Sequence, residues 1–361
     1  MSASAARPDV PSSGSAGTGY AAPPRTHNAQ GDPRRVGLEV ELAGLSVEAS
    51  LELIRRCFGG ELDSSQRTHG TVRGTSFGTF KVEYDLRALQ KRSYLRPLEL
   101  MGIESDSLAA QLVEDTVLQV ASEVVPVEVI TPPIPWPRLH ELDPLWERLR
   151  AAGAEDTYDS VFYAFGLHLN PEIPDGQVAT LLAYLRAFLL LEDWVVESSH
   201  MDLSRRIAPF VRPFPEAYRR KVLAPSYAPN SGLALVDDYL AANPTRNRGL
   251  DMLPLFVELF GEAILARVED RELVKPRPTF HYRLPNCELA SPGWSPRADW
   301  NRWIAIERLA HTPALLTELS HAYLDTFDLP LRLQSIAWID ELRERITLPG
   351  EARSSSGEPP A

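Results

Sequence analysis

The chain has 361 residues, of which 44% are hydrophobic, so it can bury the core of one large domain or two small ones. Its formal net charge is −12, with 37 lysines and arginines against 49 aspartates and glutamates, which argues against a nucleic-acid partner. The two cysteines, Cys57 and Cys287, form no CxxC spacing. They indicate neither a disulfide framework nor a thiolate zinc site, and we expect a cytoplasmic protein.

Both ends of the chain have the composition of tails. Residues 1–33 are rich in Ala, Ser, Gly, Pro and Thr and lack the apolar segment of a signal peptide, so we predict a disordered N-terminal tail. Residues 349–361 have a similar low-complexity composition and predict a C-terminal tail. A single domain is therefore expected over residues 34–348.

The first quarter of the chain predicts strand, helix and strand. A strand at about 35–42 precedes a helix at 47–58, where apolar residues recur at helical spacing and a glycine pair follows. The stretch 70–78 leads into a strand at 79–86 and is either a plain hairpin or a turn that contacts phosphate. The sequence contains no GxxxxGK[ST] motif, which excludes nucleotide binding of the Walker type.

Three further strands are predicted, with helices between them. An amphipathic helix over 105–125 joins the second strand to a third at 125–131, which two prolines end. A fourth strand follows at 161–170. A fifth, at 278–284, interrupts a mainly helical second half.

Apolar stripes in the second half predict buried helices at 178–196 and 253–264, and later helices at about 300–309 and 333–346. Charged residues interrupt the stretch 178–196, so it predicts a core helix, and we expect no membrane span. The strands alternate between apolar and polar residues rather than being uniformly apolar. This pattern predicts an α+β fold in which helices cover one face of an antiparallel or mixed sheet and charged residues lie on the other.

Charged residues occupy every second position of two predicted strands. Residues i and i+2 of a strand point to the same face, so Glu39 and Glu41 share a face of the first strand. The same spacing places Lys81, Glu83 and Asp85 together on the second. Like charges held this close raise the free energy, and a bound metal ion is the simplest explanation.

Two more strands supply ligands of the same kind. Glu128 lies in an otherwise apolar run, where it is either a metal ligand or part of a buried salt bridge. His168 and Asn170 share a strand face, and this pairing favours a functional histidine over an ordinary core residue. Carboxylates with one imidazole form an oxygen-rich site suited to Mg²⁺ or Mn²⁺.

Basic residues extend this predicted site. Arg283 shares a face of the fifth strand with His281 and is a candidate clamp for a transferring phosphoryl group or a substrate carboxylate. Lys81 could serve the same purpose. Arg205 and Arg206 are either a substrate clamp or ordinary surface residues. Ions held by such a cluster suit phosphoryl transfer.

Five motifs occur in a fixed order along the chain. They are Gly37-Leu-Glu-Val-Glu-Leu42, Lys81-Val-Glu-Tyr-Asp85, Val127-Glu-Val-Ile-Thr-Pro-Pro133, Gly166-Leu-His-Leu-Asn-Pro171 and Tyr282-Arg-Leu-Pro285. Together they resemble the amidoligase family of the carboxylate-amine ligase superfamily, which includes glutamine synthetase and gamma-glutamylcysteine synthetase. The resemblance spans about residues 34–310. It implies a glutamine synthetase-like catalytic domain with a curved, mainly antiparallel sheet and helices on one face.

The resemblance also implies an activity and its participants. The protein would be an ATP-dependent ligase that uses Mg²⁺ or Mn²⁺ to form an acyl phosphate, which an amine then attacks. Its substrates would be small-molecule or peptide carboxylates and amines. The oligomeric state stays open, with a homo-oligomer among the alternatives.

Individual roles follow from the matching positions and from the strand pattern. The expected metal ligands are Glu39, Glu41, Glu83, Glu128 and His168. The expected catalytic residues are Arg283, Lys81 and Asp85. The expected nucleotide-binding residues are His168, Asn170, Arg205 and Arg206.

Two other functions remain open from the sequence. The same carboxylate cluster could activate water in a metal-dependent hydrolase, which would need no nucleotide. Alternatively, the chain could be a catalytically silent binding module. ATP consumption separates the ligase from the hydrolase, and a Glu39→Gln change would leave the function of a silent module intact.

Overall fold

The computed structural model describes residues 19–66, 68–84, 126–155, 166–199, 211–269, 271–326, 331–346 and 348–349. Its strands are β1 (Arg35–Leu42), β2 (Glu61–Gln66), β3 (His69–Thr75), β4 (Gly78–Tyr84), β5 (Val127–Ile130), β6 (Ile134–Pro135), β7 (Leu167–Pro171), β8 (Leu250–Asp251) and β9 (His281–Tyr282). Its α-helices are α1 (Val47–Phe58), α2 (Asp143–Ala151), α3 (Val178–Ser198), α4 (Glu216–Leu223), α5 (Gly232–Ala242), α6 (Leu253–Phe260), α7 (Arg297–Ala310), α8 (Pro313–Asp325) and α9 (Leu331–Arg345). Short 3₁₀ segments lie at Trp136–Leu142, Glu262–Arg267 and Arg271–Leu273.

These strands form one antiparallel sheet. Their order is β2-β3-β4-β5-β1-β7-β9-β8, and β6 pairs with the start of β1. Together with the helices, the sheet confirms the predicted α+β fold with a mainly antiparallel sheet. Its curvature and its likeness to glutamine synthetase stay predictions.

One face of the sheet is apolar and covered by helices. Val40, Val82 and Val129 point to this face from neighbouring strands and are fully buried. At one end, α1 packs on β3 and β4, with Phe58 of α1 stacked at 5.4 Å on Phe80 of β4. At the other end, α3 and α7 pack beneath Tyr282 of β9. In the described part of the chain, no helix combines the length and the apolar character needed to cross a membrane.

The stretch 70–78 forms a hairpin, which confirms one of its two predicted structures. Strands β3 and β4 pair across a tight turn at Ser76 and Phe77. The Thr75 hydroxyl holds this turn, because it accepts hydrogen bonds from the backbone N–H groups of Phe77 and Gly78, both at 3.2 Å. The preceding strand, β2, was not predicted, because its sequence, Glu-Leu-Asp-Ser-Ser-Gln, shows no apolar alternation.

Several predicted elements need correction. The fifth strand was expected over 278–284, but β9 contains only His281 and Tyr282. Pro278 and Pro285 flank it, and proline has no N–H to donate to a neighbouring strand. The helix expected over 253–264 ends at Phe260, before Gly261. Helices α2, α4, α5 and α8 were not predicted, although the first residue of α8, Pro313, is a typical helix start.

The expected N-terminal tail differs in its last part, because residues 19–33 contact the folded domain. Tyr20 is buried, and its hydroxyl donates a 2.7 Å hydrogen bond to Asp143 at the start of α2. The Trp300 indole donates to the backbone carbonyl of Ala21 at 2.8 Å. Composition alone cannot reveal such contacts, since they join segments far apart in the sequence. The predicted helix at 105–125 lies outside the described residues, as do Asp85, Arg205 and Arg206.

A buried ion pair fixes the start of β1 to α7. The Arg34 guanidinium donates two hydrogen bonds of 2.7 Å to the two carboxylate oxygens of Glu307, and both side chains are almost fully buried. Trp303 and Tyr184 also donate to Glu307, at 2.7 and 3.2 Å. Because every charged atom of the carboxylate has a partner, this pair satisfies the condition under which burying charge is tolerated.

Replacing Arg34 by methionine should destabilise the protein strongly, because Glu307 would remain buried without its counter-charge. We expect the free energy of unfolding to fall by about 3–5 kcal/mol, measured by urea denaturation. Arg55→Met on the exposed surface of α1 is the control and should leave the midpoint unchanged. Equal shifts in the two variants would show that the buried pair has no special role.

Candidate active site

The strand register brings charged and polar residues of six strands onto the face of the sheet opposite the apolar one, here called the open face. Glu41 of β1 and Glu83 of β4 each lie opposite Glu128 of β5, and Glu39 lies opposite His168 of β7. Directly opposed residues share a face, so the spacing in β1 and β4 orders the whole cluster. The face carries Lys81, Glu83, Glu128, Glu39, Glu41, His168, Asn170, His281, Arg283 and Asp251.

Glu39 lies at the centre of the cluster and is 8% exposed. One oxygen accepts hydrogen bonds from the Asn170 amide at 3.0 Å and from an Arg277 guanidinium nitrogen at 3.2 Å. The other oxygen lies 3.0 Å from His168 Nδ1. Burial alone would raise the pKa of Glu39, but the hydrogen bond with His168, the nearby imidazole of His281 and the charge of Arg277 hold it well below its usual range. Glu39 is therefore an ionised carboxylate at neutral pH.

Two buried histidines adjoin Glu39. The rings of His168 and His281 meet edge to face with centroids 5.2 Å apart. Burial lowers the pKa of both imidazoles, and the positive charges of Arg283 and Arg277 lower them further, against the opposing influence of Glu39. Both rings are therefore neutral near pH 7, the form in which a histidine nitrogen can bind a metal ion.

Asp251 orients His281 and was not identified from the sequence. It is fully buried, and its Oδ2 lies 3.3 Å from His281 Nδ1 and 3.3 Å from Arg246 Nε. Its Oδ1 accepts a 3.0 Å hydrogen bond from the backbone N–H of Leu253. Burial raises the pKa of Asp251, but the hydrogen bond with His281 and the charge of Arg246 lower it overall. The ionised carboxylate can therefore accept a hydrogen bond from the Nδ1–H group of His281.

A second group of acidic residues lies on the other side of His168. Glu41 accepts a 2.7 Å hydrogen bond from the backbone N–H of Gly166, and Glu128 is 2% exposed. Among the described residues, two sets could hold a cation, with ligand atoms within 4.8 Å of one another in each. They are Glu39, His168 and His281, and Glu41, Glu128 and His168.

The structure brings most of the predicted site residues together, but their contacts differ. Glu83 forms an ion pair with Lys81 on the same strand. Arg283 donates a 2.7 Å hydrogen bond to the backbone carbonyl of Arg246, which positions its guanidinium beside the histidines. Arg277, which approaches Glu39 from the segment before β9, was not predicted from the sequence. An arginine between prolines, in Lys-Pro-Arg-Pro, was the available signal.

A pocket of about 310 Å³ opens beside Glu39, over the start of β1. Ile130 and Pro133 form an apolar part of the pocket wall, and Arg277 also lines the pocket. Gly37 lies at its floor, opposite Asn170 in the register. A glycine inside a central strand weakens the strand, and is typical of a place where a ligand approaches the backbone.

Buried carboxylates and histidines beside a pocket on the open face of a sheet are the arrangement expected of an enzyme active site. The sequence matches the family described as "Putative amidoligase enzyme" over residues 32–305. This match covers most of the chain, so the protein belongs to that family, whose name denotes a ligase-type enzyme. Searches of curated proteins and of solved structures gave no match.

In the metal-free protein, replacing His168 by glutamine should make the free energy of unfolding fall less steeply as the pH is lowered into the mildly acidic range. The folded-state pKa of His168 is lowered, so below about pH 6.5 the unfolded state binds more protons and the free energy of unfolding falls as the pH falls. One such histidine contributes up to about 1.4 kcal/mol per pH unit. Urea denaturation between about pH 7.5 and 5.5 measures this slope.

His27 provides the control for this experiment, because its ring is exposed. His27→Gln should retain the slope of the original protein. Parallel slopes for the original protein and His168→Gln would contradict the expected protonation behaviour of the buried ring.

Proposed function

We propose that this protein is an ATP- and Mg²⁺-dependent ligase that joins a carboxylate to an amine through an acyl phosphate. Its family membership supports a ligase-type activity. The observation that carries the finer proposal is the open sheet face, where carboxylates and the guanidinium of Arg283 surround His168 and a pocket opens beside Glu39. This combination suits the transfer of a phosphoryl group between two anionic partners.

The chemistry follows from the stability of a carboxylate in water. Its oxygen is a poor leaving group, so direct attack by an amine is unfavourable. In the proposed reaction, a carboxylate oxygen attacks the γ-phosphorus of ATP, the bond to ADP breaks, and an acyl phosphate forms. The amine nitrogen then attacks the acyl carbon, phosphate leaves, and the amine loses a proton. The products are an amide, ADP and phosphate.

The residues of the open face divide this work. Glu39, Glu41 and Glu128, with Glu83 beside them, would hold Mg²⁺, which neutralises charge on the phosphate oxygens when it is bound. Arg283 would stabilise the phosphoryl group during transfer. A carboxylate must accept the proton of the amine, and the candidates are Glu128 and Asp85.

The pocket over Gly37 fits the nucleotide better than it fits a metal alone. Ile130 and Pro133 offer apolar surface to a base, while Arg35 and Arg277 bring positive charge to the same space. Asn170 lines this pocket, and its buried Oδ1 has no hydrogen-bond partner, so it is an acceptor that a ligand could use. We therefore assign this pocket to ATP, with its phosphates directed towards the carboxylates.

The first test is calorimetric binding of a non-hydrolysable ATP analogue, with and without Mg²⁺. We expect binding that depends on Mg²⁺ and is weakened at least about tenfold by Glu39→Gln, since losing one charged contact costs about 1.5–3 kcal/mol. Glu61→Gln is the matched control, because Glu61 lies exposed on the edge strand β2 of the same sheet. A protein that binds divalent metal but no nucleotide would instead be a metal-dependent hydrolase.

A second test narrows the pocket without disturbing the fold. Gly37 does not have a positive φ, and an added Cβ would lie 3.5 Å from the Cβ of Asn170, an ordinary contact. Gly37→Val should therefore fold, since valine favours strands, while its methyl groups enter the pocket and weaken binding of the ATP analogue about tenfold or more.

Thermal unfolding and metal binding without nucleotide are the controls for Gly37→Val, and both should be retained. Gly37→Ala should give a smaller loss of nucleotide affinity. Unchanged affinity for the ATP analogue in a folded Gly37→Val protein would show that ATP does not bind in this pocket.

A further inference from the structure

We propose that Glu172 binds a ribose hydroxyl group of the nucleotide, and that Asn28 of the N-terminal segment positions Glu172 for this contact. The inference rests on the proposed function, because it assigns a selective residue to the pocket proposed for ATP. The protein would therefore prefer ribonucleotides to deoxyribonucleotides. The inference also gives a role to part of the segment 1–33, which was predicted to be a disordered tail.

Glu172 lines the pocket at the end away from Glu39. It follows β7 directly, and its backbone N–H donates a 2.8 Å hydrogen bond to the carbonyl of Arg35 at the start of β1. Arg35 and Glu39 are four residues apart in β1, so their Cα atoms are separated by about 13 Å. When the phosphates of a nucleotide are directed towards Glu39, its ribose and base extend towards Glu172.

Two hydrogen bonds fix the carboxylate of Glu172. Its Oε1 accepts from the side-chain amide of Asn28 at 2.9 Å, and its Oε2 accepts from the backbone N–H of Arg35 at 2.9 Å. Among the described residues, this carboxylate forms no ion pair with a lysine or an arginine. Each carboxylate oxygen can accept two hydrogen bonds, so both oxygens retain the capacity to accept one from a ligand.

A compact loop at residues 27–33 positions Asn28. The side-chain oxygen of Asn28 accepts hydrogen bonds from the backbone N–H groups of Gln30 and Asp32, at 3.1 and 3.0 Å. Because this oxygen already has partners within the loop, the amide nitrogen is the atom presented to Glu172. Directly after the loop, Arg34 Nε donates a 2.7 Å hydrogen bond to the backbone carbonyl of Glu172. The N-terminal segment therefore supports this end of the pocket.

Hydrogen-bond chemistry decides which part of the nucleotide suits Glu172. A carboxylate oxygen only accepts hydrogen bonds, so it cannot pair directly with phosphate oxygens, which are acceptors as well. A ribose hydroxyl can donate, and acidic residues bind ribose hydroxyls in this way in dinucleotide-binding folds. The apolar surface of Ile130 and Pro133 is left for the base. The amino group of adenine is a second possible donor, and deoxy analogues distinguish it from the ribose.

The test is calorimetric binding of a non-hydrolysable ATP analogue and of its 2′-deoxy and 3′-deoxy forms to the full-length protein, all with Mg²⁺. We expect the original protein to bind at least one deoxy form at least about tenfold more weakly, the loss expected for one hydrogen bond to a carboxylate. Glu172→Ala should abolish this preference. It should weaken binding of the analogue that has both hydroxyls and leave the affinity for the discriminated deoxy form unchanged.

Asn28→Asp tests the positioning role and serves as the second variant should Glu172→Ala unfold. Aspartate keeps the side-chain oxygen that accepts hydrogen bonds within the loop, but it replaces the amide that donates to Glu172 with a carboxylate that repels it. The preference for the hydroxyl should fall towards that of Glu172→Ala. Asp175→Asn is the matched control, because Asp175 accepts a hydrogen bond from Arg25 of the same N-terminal segment but does not line the pocket. It should retain the preference, and circular dichroism verifies that each variant is folded.

The outcomes separate this inference from the ligase proposal. Equal affinity of the original protein for the three analogues overturns the role of Glu172, and so does a preference that survives in folded Glu172→Ala and Asn28→Asp. Equal weakening of all three analogues by Glu172→Ala would assign the carboxylate to another part of the nucleotide and overturn the ribose contact. In each of these cases, Mg²⁺-dependent binding of the ATP analogue leaves the ligase proposal standing. If none of the analogues binds, both proposals fail.

Discussion

The register of β1 between β5 and β7 is the constraint on which the rest of the structure depends. Side chains alternate along a strand, so a shift of one residue would move Glu39 and Glu41 into the helix-covered core and Val40 out of it. Pairing on both sides holds β1 in place, and the apolar core penalises any slip. The same alternation therefore forms the hydrophobic core and positions the charged cluster.

Burying charge near β1 requires that each charged group has partners. Glu39 shares its oxygens among the amide of Asn170, the guanidinium of Arg277 and the imidazole of His168, and Asp251 is held by His281 and Arg246. Arg34, just before β1, is paired with Glu307 from α7. These contacts join the central strand to distant parts of the chain, which limits the movement of the side chains on the open face.

The sequence predicted the parts of the site that have a local pattern. Alternation identified Glu39, Glu41 and Glu128, and it placed His168 with them. Asp251 lies in a strand of two residues, where alternation has no length in which to appear, and Arg277 approaches from an irregular segment between prolines. Their roles depend on contacts between segments far apart in the chain, which single-strand patterns do not contain. The ordered segment after Gly19 was missed for the same reason.

The wide separation of the site residues along the chain affects how the protein folds. Arg34 and Glu307 are 273 residues apart, and Arg277 and Glu39 are 238 apart. Contacts between residues so far apart in the sequence form slowly, because much of the chain must lose conformational entropy before they become favourable. A ribosome must therefore release the segment before β9 before Glu39 acquires Arg277, and must release α7 before Arg34 acquires Glu307. Until then Glu39 has only its partners from β7, and the nascent chain relies on its apolar strand faces for early structure.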